Sequence, residues 1–273
     1  MSVVITSINM KGGVGKTSTC HHLSGALSRM GRRVLLVDND PQSSLTQGFW
    51  GRLATRQLDP SATIAALYAG ERPWPSQVIY PTGLPGVDLL PGSLAAEDYN
   101  VPRPDEAPYE VQHCLRDFLE EAREPYDLVM IDCPPTRYGC SWAAMIASDC
   151  LIVPTQPEDY GAQALADAQE AIARVAAGPN PGLSILGYLV TMAVLRSSVH
   201  RIYQESLRAE YGEAVFDAVV PRSLDYVEAI AKRQTITQAK PRSASAKAIA
   251  AVADELLARL ALAWGGVIER GGA

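Results

Sequence analysis

Lys11-Gly12-Gly13-Val14-Gly15-Lys16-Thr17-Ser18 stands directly after a β-rich run, residues 3–9 (VVITSIN), and opens a segment of helical spacing. Its glycines let the backbone fold so that successive N–H groups point inward at phosphate oxygens. The helix N-terminus that follows adds its positive dipole end. Lys16 is then placed to reach the β- and γ-phosphates of a nucleotide, and the Thr17 hydroxyl to ligate Mg²⁺. The general pattern GxxxxGK[ST] is met from Gly15 onward, whereas Met10 takes the place of its first glycine and Lys11 is an additional lysine.

Outward from this loop the chain alternates strand and helix. Residues 17–30 carry Cys20, Leu23, Leu27 and Met30 at helical spacing, and Gly31 sits where a C-cap glycine belongs. RRVLLVD (32–38) is a nearly continuous apolar run, as in strands buried on both faces of a parallel sheet. The pattern then predicts a helix over 108–123, strand 126–132, a helix from about 140, strand 150–154, and helix 161–177. Beyond the turn GPNPG (178–182) it predicts strand 183–191, helix 198–211, a short strand near 214–220 and a terminal helix over 245–262. Residues 52–107 are proline-rich and weakly periodic, which predicts an elaborated surface region with one short helix (61–69) and one strand (86–90). Such alternation means an α/β fold, a mostly parallel twisted sheet with helices on both faces. No internal repeat or flexible linker divides it, so residues 1–273 are expected to form one domain.

Carboxylates complete the chemistry. Asp38 and Asp40 close the run VLLVDNDPQ at a strand's C-terminal end, the edge where open α/β sheets bind ligands. Asp132 ends LVMID in the same way and is followed by Cys133-Pro134-Pro135. A carboxylate there can hold the water shell of Mg²⁺, and another near the γ-phosphate can orient an attacking water.

Composition narrows the class further. With 47% hydrophobic and 20% charged residues the 273-residue chain is neither disordered nor collagen-like, and no run of eighteen apolar residues spans a membrane. The first residues, MSVVITSINMKGG, lack the features of a secretory signal. Five scattered cysteines without a CxxC pair argue against a disulfide framework or a zinc site and fit buried thiols in a reducing cytoplasm. The net charge of −6 counts against a protein that coats nucleic acid with its whole surface, while leaving room for a local basic face.

Together these motifs resemble the ParA/MinD class of deviant Walker A ATPases, and most closely the ParA (Soj-like) partition ATPases. KGGVGKTS, VDNDPQSS and YDLVMIDCPPT match the family's loop, its D-x-DPQ segment and its Walker B strand; IVPTQPEDYGAQAL, ILGYLVTM and VVPRS match later blocks in order. The resemblance covers nearly the whole chain. It implies an ATP-dependent sandwich homodimer in which Lys11 reaches the partner's nucleotide and Lys16 acts within its own subunit. ATP would lie against residues 11–18, namely Lys11, Gly12, Gly13, Val14, Gly15, Lys16, Thr17 and Ser18. Thr17, Asp38 and Asp132 would serve Mg²⁺, Asp40 would position water for hydrolysis, and Thr191-Met192 with Pro221-Arg222 would flank adenine. Lys11, Lys16 and Asp40 are thus the expected catalytic residues.

The same resemblance implies non-specific DNA binding through a basic surface, a cytoplasmic and nucleoid-associated location, and a ParB-type or other centromere-binding partner that stimulates hydrolysis. Residues 222–247 carry six basic side chains against Asp225 and Glu228, a net charge of +4. Arg196, Lys232, Arg233, Arg242 and Lys247 are the candidate DNA contacts. Asp225 departs from the arginine common there in Soj-like members, and Arg233-Gln234-Thr235 replaces a glycine-lysine-proline stretch. A MinD-like membrane helix is the alternative use of such a C-terminus. Gly265-Gly266 interrupts it, however, and Arg259 and Arg270 are its only basic residues, where a membrane anchor prefers a basic polar face. A relative that positions a protein cargo, such as a carboxysome or chemoreceptor cluster, is the other alternative. With only two residues ahead of the first strand, no N-terminal helix-turn-helix domain is expected.

Overall fold

The computed structural model describes residues 2–158, 161–194 and 196–265. Strand β1 (Val3–Ser7) leads through the glycine loop into helix α1 (Lys16–Arg29), followed by β2 (Val34–Asp38), α2 (Ser44–Trp50) and α3 (Arg52–Arg56). Next come α4 (Ile64–Tyr68), α5 (Pro75–Val78), β3 (Tyr80–Leu84), β4 (Val87–Leu90), α6 (Tyr109–Ala122), β5 (Leu128–Asp132) and α7 (Gly139–Ala147). The chain closes with β6 (Cys150–Thr155), α8 (Gly161–Ala176), β7 (Ser184–Val190), α9 (Ser198–Tyr211), α10 (Leu224–Ala231), α11 (Ile236–Ala239) and α12 (Ala244–Trp264).

Among the described residues the strands form one seven-stranded sheet in the order β3-β4-β2-β5-β1-β6-β7. It is parallel throughout except where edge strand β3 runs against β4. The two-residue period of the strands sorts their apolar side chains into opposite layers. Val34 and Leu36 face α1 and α12, with Leu23, Leu27, Ile249 and Leu256. Leu35 and Val37 face the helices on the other side, with Leu115, Leu119 and Ala143. Beneath β6, Leu151 and Val153 pack with Ile172 and Val175 of α8. β1, β2 and β5 are neighbours, so their C-terminal ends bring the glycine loop, Asp38 and Asp132 to one edge.

The expected elements of the α/β framework are present, several with shifted ends. Helix α1 ends as the sequence predicts, with Gly31 at φ +75° and its turn closed by Gly31 N–H on Ser28 O and Arg32 N–H on Leu27 O. The short strand expected near 214–220 does not form. Phe216 and Val220 N–H do bond to Tyr188 and Val190 of β7, but the N–H groups of Asp217 and Ala218 between them go to the Glu255 carboxylate on α12, which breaks the ladder. Residues 52–107 contribute β3 and β4 to the sheet and α3, α4 and α5 to its flank. The cysteines are unpaired, and burial pushes the Cys114 and Cys140 thiols up to about 12, as for inert packed side chains. No helix among the described residues is long and apolar enough to cross a membrane. Val267, Ile268 and Arg270 of the tail lie outside the described residues.

Helix α1 lies unusually close to the turn before α11. A Cβ on Gly25 would stand 2.2 Å from Thr235 Oγ1 and 2.5 Å from Thr235 Cβ, both on a buried side chain. Gly25→Ala is therefore expected to destabilise the protein by about 1–3 kcal/mol through overpacking, despite alanine's better helix propensity. Urea unfolding would read this as a lower midpoint; an unchanged or raised midpoint would show that the 235–237 turn yields freely.

Candidate nucleotide site

The loop that joins β1 to α1 is held from both ends. Asn9, buried at the tip of β1, donates its amide to Pro154 O (2.8 Å) and accepts the Lys11 N–H on Oδ1 (2.9 Å). Gly13 and Gly15 sit at φ +78° and +89°, a conformation other residues rarely take, and Gly15 caps α1. The Thr191 hydroxyl donates to Val14 O (2.7 Å), and the Gln156 amide to Gly13 O (3.0 Å). Asn9 and Gln156 were not foreseen from the sequence as loop supports. Their signal was position alone: each polar side chain stands within two residues of the end of a buried strand.

The two lysines of the loop are placed differently. Lys16 is buried, with Nζ donating to Asn9 O (2.9 Å) and Lys11 O (3.0 Å), inside the curve of the loop. Burial lowers its pKa, while the charges of Asp132, Cys133 and Asp40 pull it back up. Lys11 Nζ instead leaves the loop and meets Glu158 Oε2 at 3.1 Å in a partly exposed ion pair.

The carboxylates converge as expected. Asp38 and Asp132 are register partners on neighbouring strands, and both are fully buried. Asp38 Oδ2 accepts from the Thr46 N–H (2.7 Å) and hydroxyl (2.6 Å), leaving Oδ1 without a partner. Both Asp132 oxygens lack a partner of good geometry. Burial is the main cause that raises the pKa of each, and their mutual repulsion adds to it at Asp132; Thr17 and Lys16 work in the opposite direction there. Asp40 is less enclosed; its Oδ1 accepts the Gln42 N–H (2.9 Å), and burial raises its pKa against the pull of Lys16.

Three orphaned carboxylate oxygens at the foot of a phosphate loop suit a hard divalent cation. Among the described residues no three His, Cys, Asp or Glu side chains form a closed metal cluster. Mg²⁺ takes oxygen ligands of this kind together with phosphate and water.

On the outer side of the loop a cleft of about 450 Å³ opens beside Gly15 and Ser18. Thr191, Met192, Pro221 and Arg222, the residues that the family resemblance assigns to adenine, line it. Met192 holds φ +53° and its Sδ accepts from Gln156 Nε2. The apolar faces of Leu224, Val227 and Ile230 on α10 were not foreseen; they complete the wall.

The candidate DNA residues do not all stand free. Arg196, Lys232, Arg242 and Lys247 are exposed, and none makes an ion pair among the described residues. Arg233, at φ +59°, donates Nη1 to Gln47 O (2.8 Å) and so ties the turn after α10 to the end of α2. Lys240 is paired with both Asp225 and Glu228 (2.7 Å to the latter), so the two acidic residues of the basic segment are neutralised locally. Asp225 also accepts from the Ser245 hydroxyl, which makes it a tie between α10 and α12.

A phosphate loop at the head of α1, facing strand-end carboxylates across a parallel sheet, defines a P-loop nucleotide-binding protein. The profile of an AAA domain family matches residues 2–185. The chain is 37% identical over 257 residues to the chromosome-partitioning ATPase Soj of Thermus thermophilus, spanning 94% of this chain and 96% of that protein. It is 34% identical over 258 residues to the chromosome partitioning protein ParA of Caulobacter vibrioides, spanning 94% of each. Among solved structures, cobyrinic acid a,c-diamide synthase from Mycobacterium smegmatis with bound ADP and magnesium aligns with TM-score 0.79 at 27% identity over 97% of each chain. The chain belongs to the ParA and Soj family of chromosome-partitioning ATPases.

Proposed function

We propose that this ATPase runs a partition cycle: ATP-bound dimers hold DNA without sequence preference and release it after hydrolysis stimulated by a ParB-type or other centromere-binding partner. The observation that carries the reading is the division of labour between the loop lysines, Lys16 folded inside its own loop and Lys11 directed away from it.

Within one subunit, ATP fills the cleft lined by Met192, Pro221 and Arg222, and its phosphates take the Lys16 ammonium from the carbonyls of Asn9 and Lys11. Thr17, Asp38 and Asp132 would hold Mg²⁺, the two carboxylates through its water shell, and the ion would offset the charge of the β- and γ-phosphates. Asp40 lies farther out on the same edge, anchored by Gln42. A carboxylate of raised pKa accepts a proton more readily, which suits it to hold and polarise the attacking water. Lys11 exchanges Glu158 for the partner subunit's nucleotide, countering the repulsion of two ATP molecules that face each other. The exposed cations Arg196, Lys232, Arg242 and Lys247 supply phosphate contacts to DNA, placing the protein at the nucleoid.

The test is DNA binding with ATP, with ADP and without nucleotide, across a salt series. With ATP, binding is expected to weaken steeply with salt, by a factor of roughly 10–10³ between 50 and 200 mM for a handful of phosphate contacts, and to vanish in Lys16→Ala. Equal binding in all three nucleotide states, or none in any, would remove the DNA-carrier reading.

A further inference from the structure

Two stretches of the chain lack acidic residues while carrying several basic ones: residues 41–58, with Arg52 and Arg56, and residues 229–253, with Lys232, Arg233, Lys240, Arg242 and Lys247. They are far apart in sequence and joined in space. The Arg233 guanidinium bonds to Gln47 O, and its Nε and Nη2 stand 3.2 Å from where a Cβ on Gly51 would be, one residue before Arg52. His21 of α1 fixes the same junction from beneath. Its ring packs 4.4 Å from Phe49 on α2, and its Nε2–H donates to Gln234 O (3.2 Å) beside Arg233.

Helix α3 therefore continues the surface that begins at the end of α10. Arg52 and Arg56 lie one helical turn apart, on one face of α3. Both are exposed, and neither makes an ion pair among the described residues. In a protein with net charge −6, two adjoining segments without acidic side chains form a local positive field.

We propose that Arg52 and Arg56 of α3 extend the polyanion-binding surface and contact the phosphate backbone of double-stranded DNA, in one continuous strip with Lys232, Arg242 and Lys247. The strip has separate, exposed cations on two segments. That arrangement suits an evenly spaced row of backbone phosphates. The inference rests on the DNA-binding reading above and adds a second chain segment to it.

The test uses the full chain with ATP and random-sequence duplex DNA, measured by fluorescence anisotropy over a salt series. Three proteins are compared with wild type: Arg52→Gln with Arg56→Gln, Arg52→Lys with Arg56→Lys, and Lys232→Gln with Arg242→Gln. The glutamine pair on α3 is expected to weaken binding about tenfold at low salt and to reduce the slope of log affinity against log salt by about two, near 0.9 for each phosphate no longer neutralised. The lysine pair should keep the wild-type slope. Because both arginines are exposed, the melting temperature should stay near that of wild type. If wild type binds and the Lys232 and Arg242 pair weakens it while the α3 glutamine pair does not, the extension is overturned and the DNA reading stands. If wild type itself does not bind, the DNA reading fails and this inference with it. Exposed Leu53 between the arginines (79% accessible) makes vesicles of anionic phospholipid the counter-probe. Vesicle binding lost in the glutamine pair with DNA binding intact would reassign the surface to lipid.

Discussion

Lys16→Ala is expected to lower ATP turnover by on the order of 10²–10³-fold, the loss that follows removal of one preorganised donor from a developing phosphate charge. Nζ lies on two backbone carbonyls inside the loop, so the cation is already positioned and largely stripped of water before substrate arrives. An ammonium in that environment acts with far less dielectric screening than one in solvent. Burial works against its charge, and the nearby carboxyls of Asp132 and Asp40 help to sustain it. Alanine removes the donor from Asn9 O and Lys11 O together, so loosening of the loop accompanies the loss of the charge. Phosphate release at saturating ATP measures the first effect and binding of a fluorescent ATP analogue the second. Lys16→Arg is the informative companion: the loop encloses a compact ammonium, and a planar guanidinium does not fit the same two-carbonyl seat. Turnover above a tenth of wild type in Lys16→Ala would place the catalytic cation elsewhere.

The nucleotide edge was legible because its parts are short-range. Glycine spacing fixes the loop, an apolar run fixes a strand, and an aspartate at the end of that run must lie on the sheet's C-terminal edge. Which strands are neighbours was not readable, yet this decides the chemistry. Asp38 and Asp132 come from strands about ninety residues apart in sequence, and only the order β2-β5-β1 puts them side by side below Lys16. Edge strand β3 was missed because YPTGL contains a proline and a glycine and packs one face only, which weakens the signal of a strand. Helix α2 was missed because SLTQGFW has a glycine and no charge pattern. It is held by Thr46 on the buried strand-end Asp38, outside any helical pattern, and by Arg233 on Gln47, which is distant in sequence.

The basic surface shows the opposite failure. Counting charges along residues 222–247 gave the correct sign but treated every cation as equivalent. In the fold, Lys240 is engaged by Asp225 and Glu228, and Arg233 is engaged in closing a turn, so the available charge comes from fewer residues of that segment. The departure at Asp225 also takes a structural meaning: it accepts from Lys240 and Ser245 and so ties α10 to the segments that follow it. What a linear window cannot contain is a neighbour supplied by another segment, and α3 is such a neighbour.

Lys11→Ala is expected to leave the fold and ATP uptake by the monomer intact while reducing turnover by on the order of 10³-fold, the scale of a cation supplied from outside the site in phosphoryl transfer. The loop does not need the side chain. Lys11 is anchored through its backbone N–H on Asn9 Oδ1, and its carbonyl serves Lys16 whatever the residue. The side chain's resting partner is Glu158, in a pair whose members are 25% and 54% exposed. Such an exposed pair contributes at most about 1 kcal/mol, so releasing it for a partner's phosphates costs little. In the proposed sandwich dimer, two bound ATP molecules without that cation would face each other with their repulsion uncompensated, and assembly should fail. Sedimentation with a slowly hydrolysed ATP analogue separates the two steps, because the variant should bind the analogue and remain a monomer. A Lys11→Ala protein that dimerises and turns over at the wild-type rate would confine Lys11 to its ion pair with Glu158 and remove the proposal that it serves a partner's nucleotide.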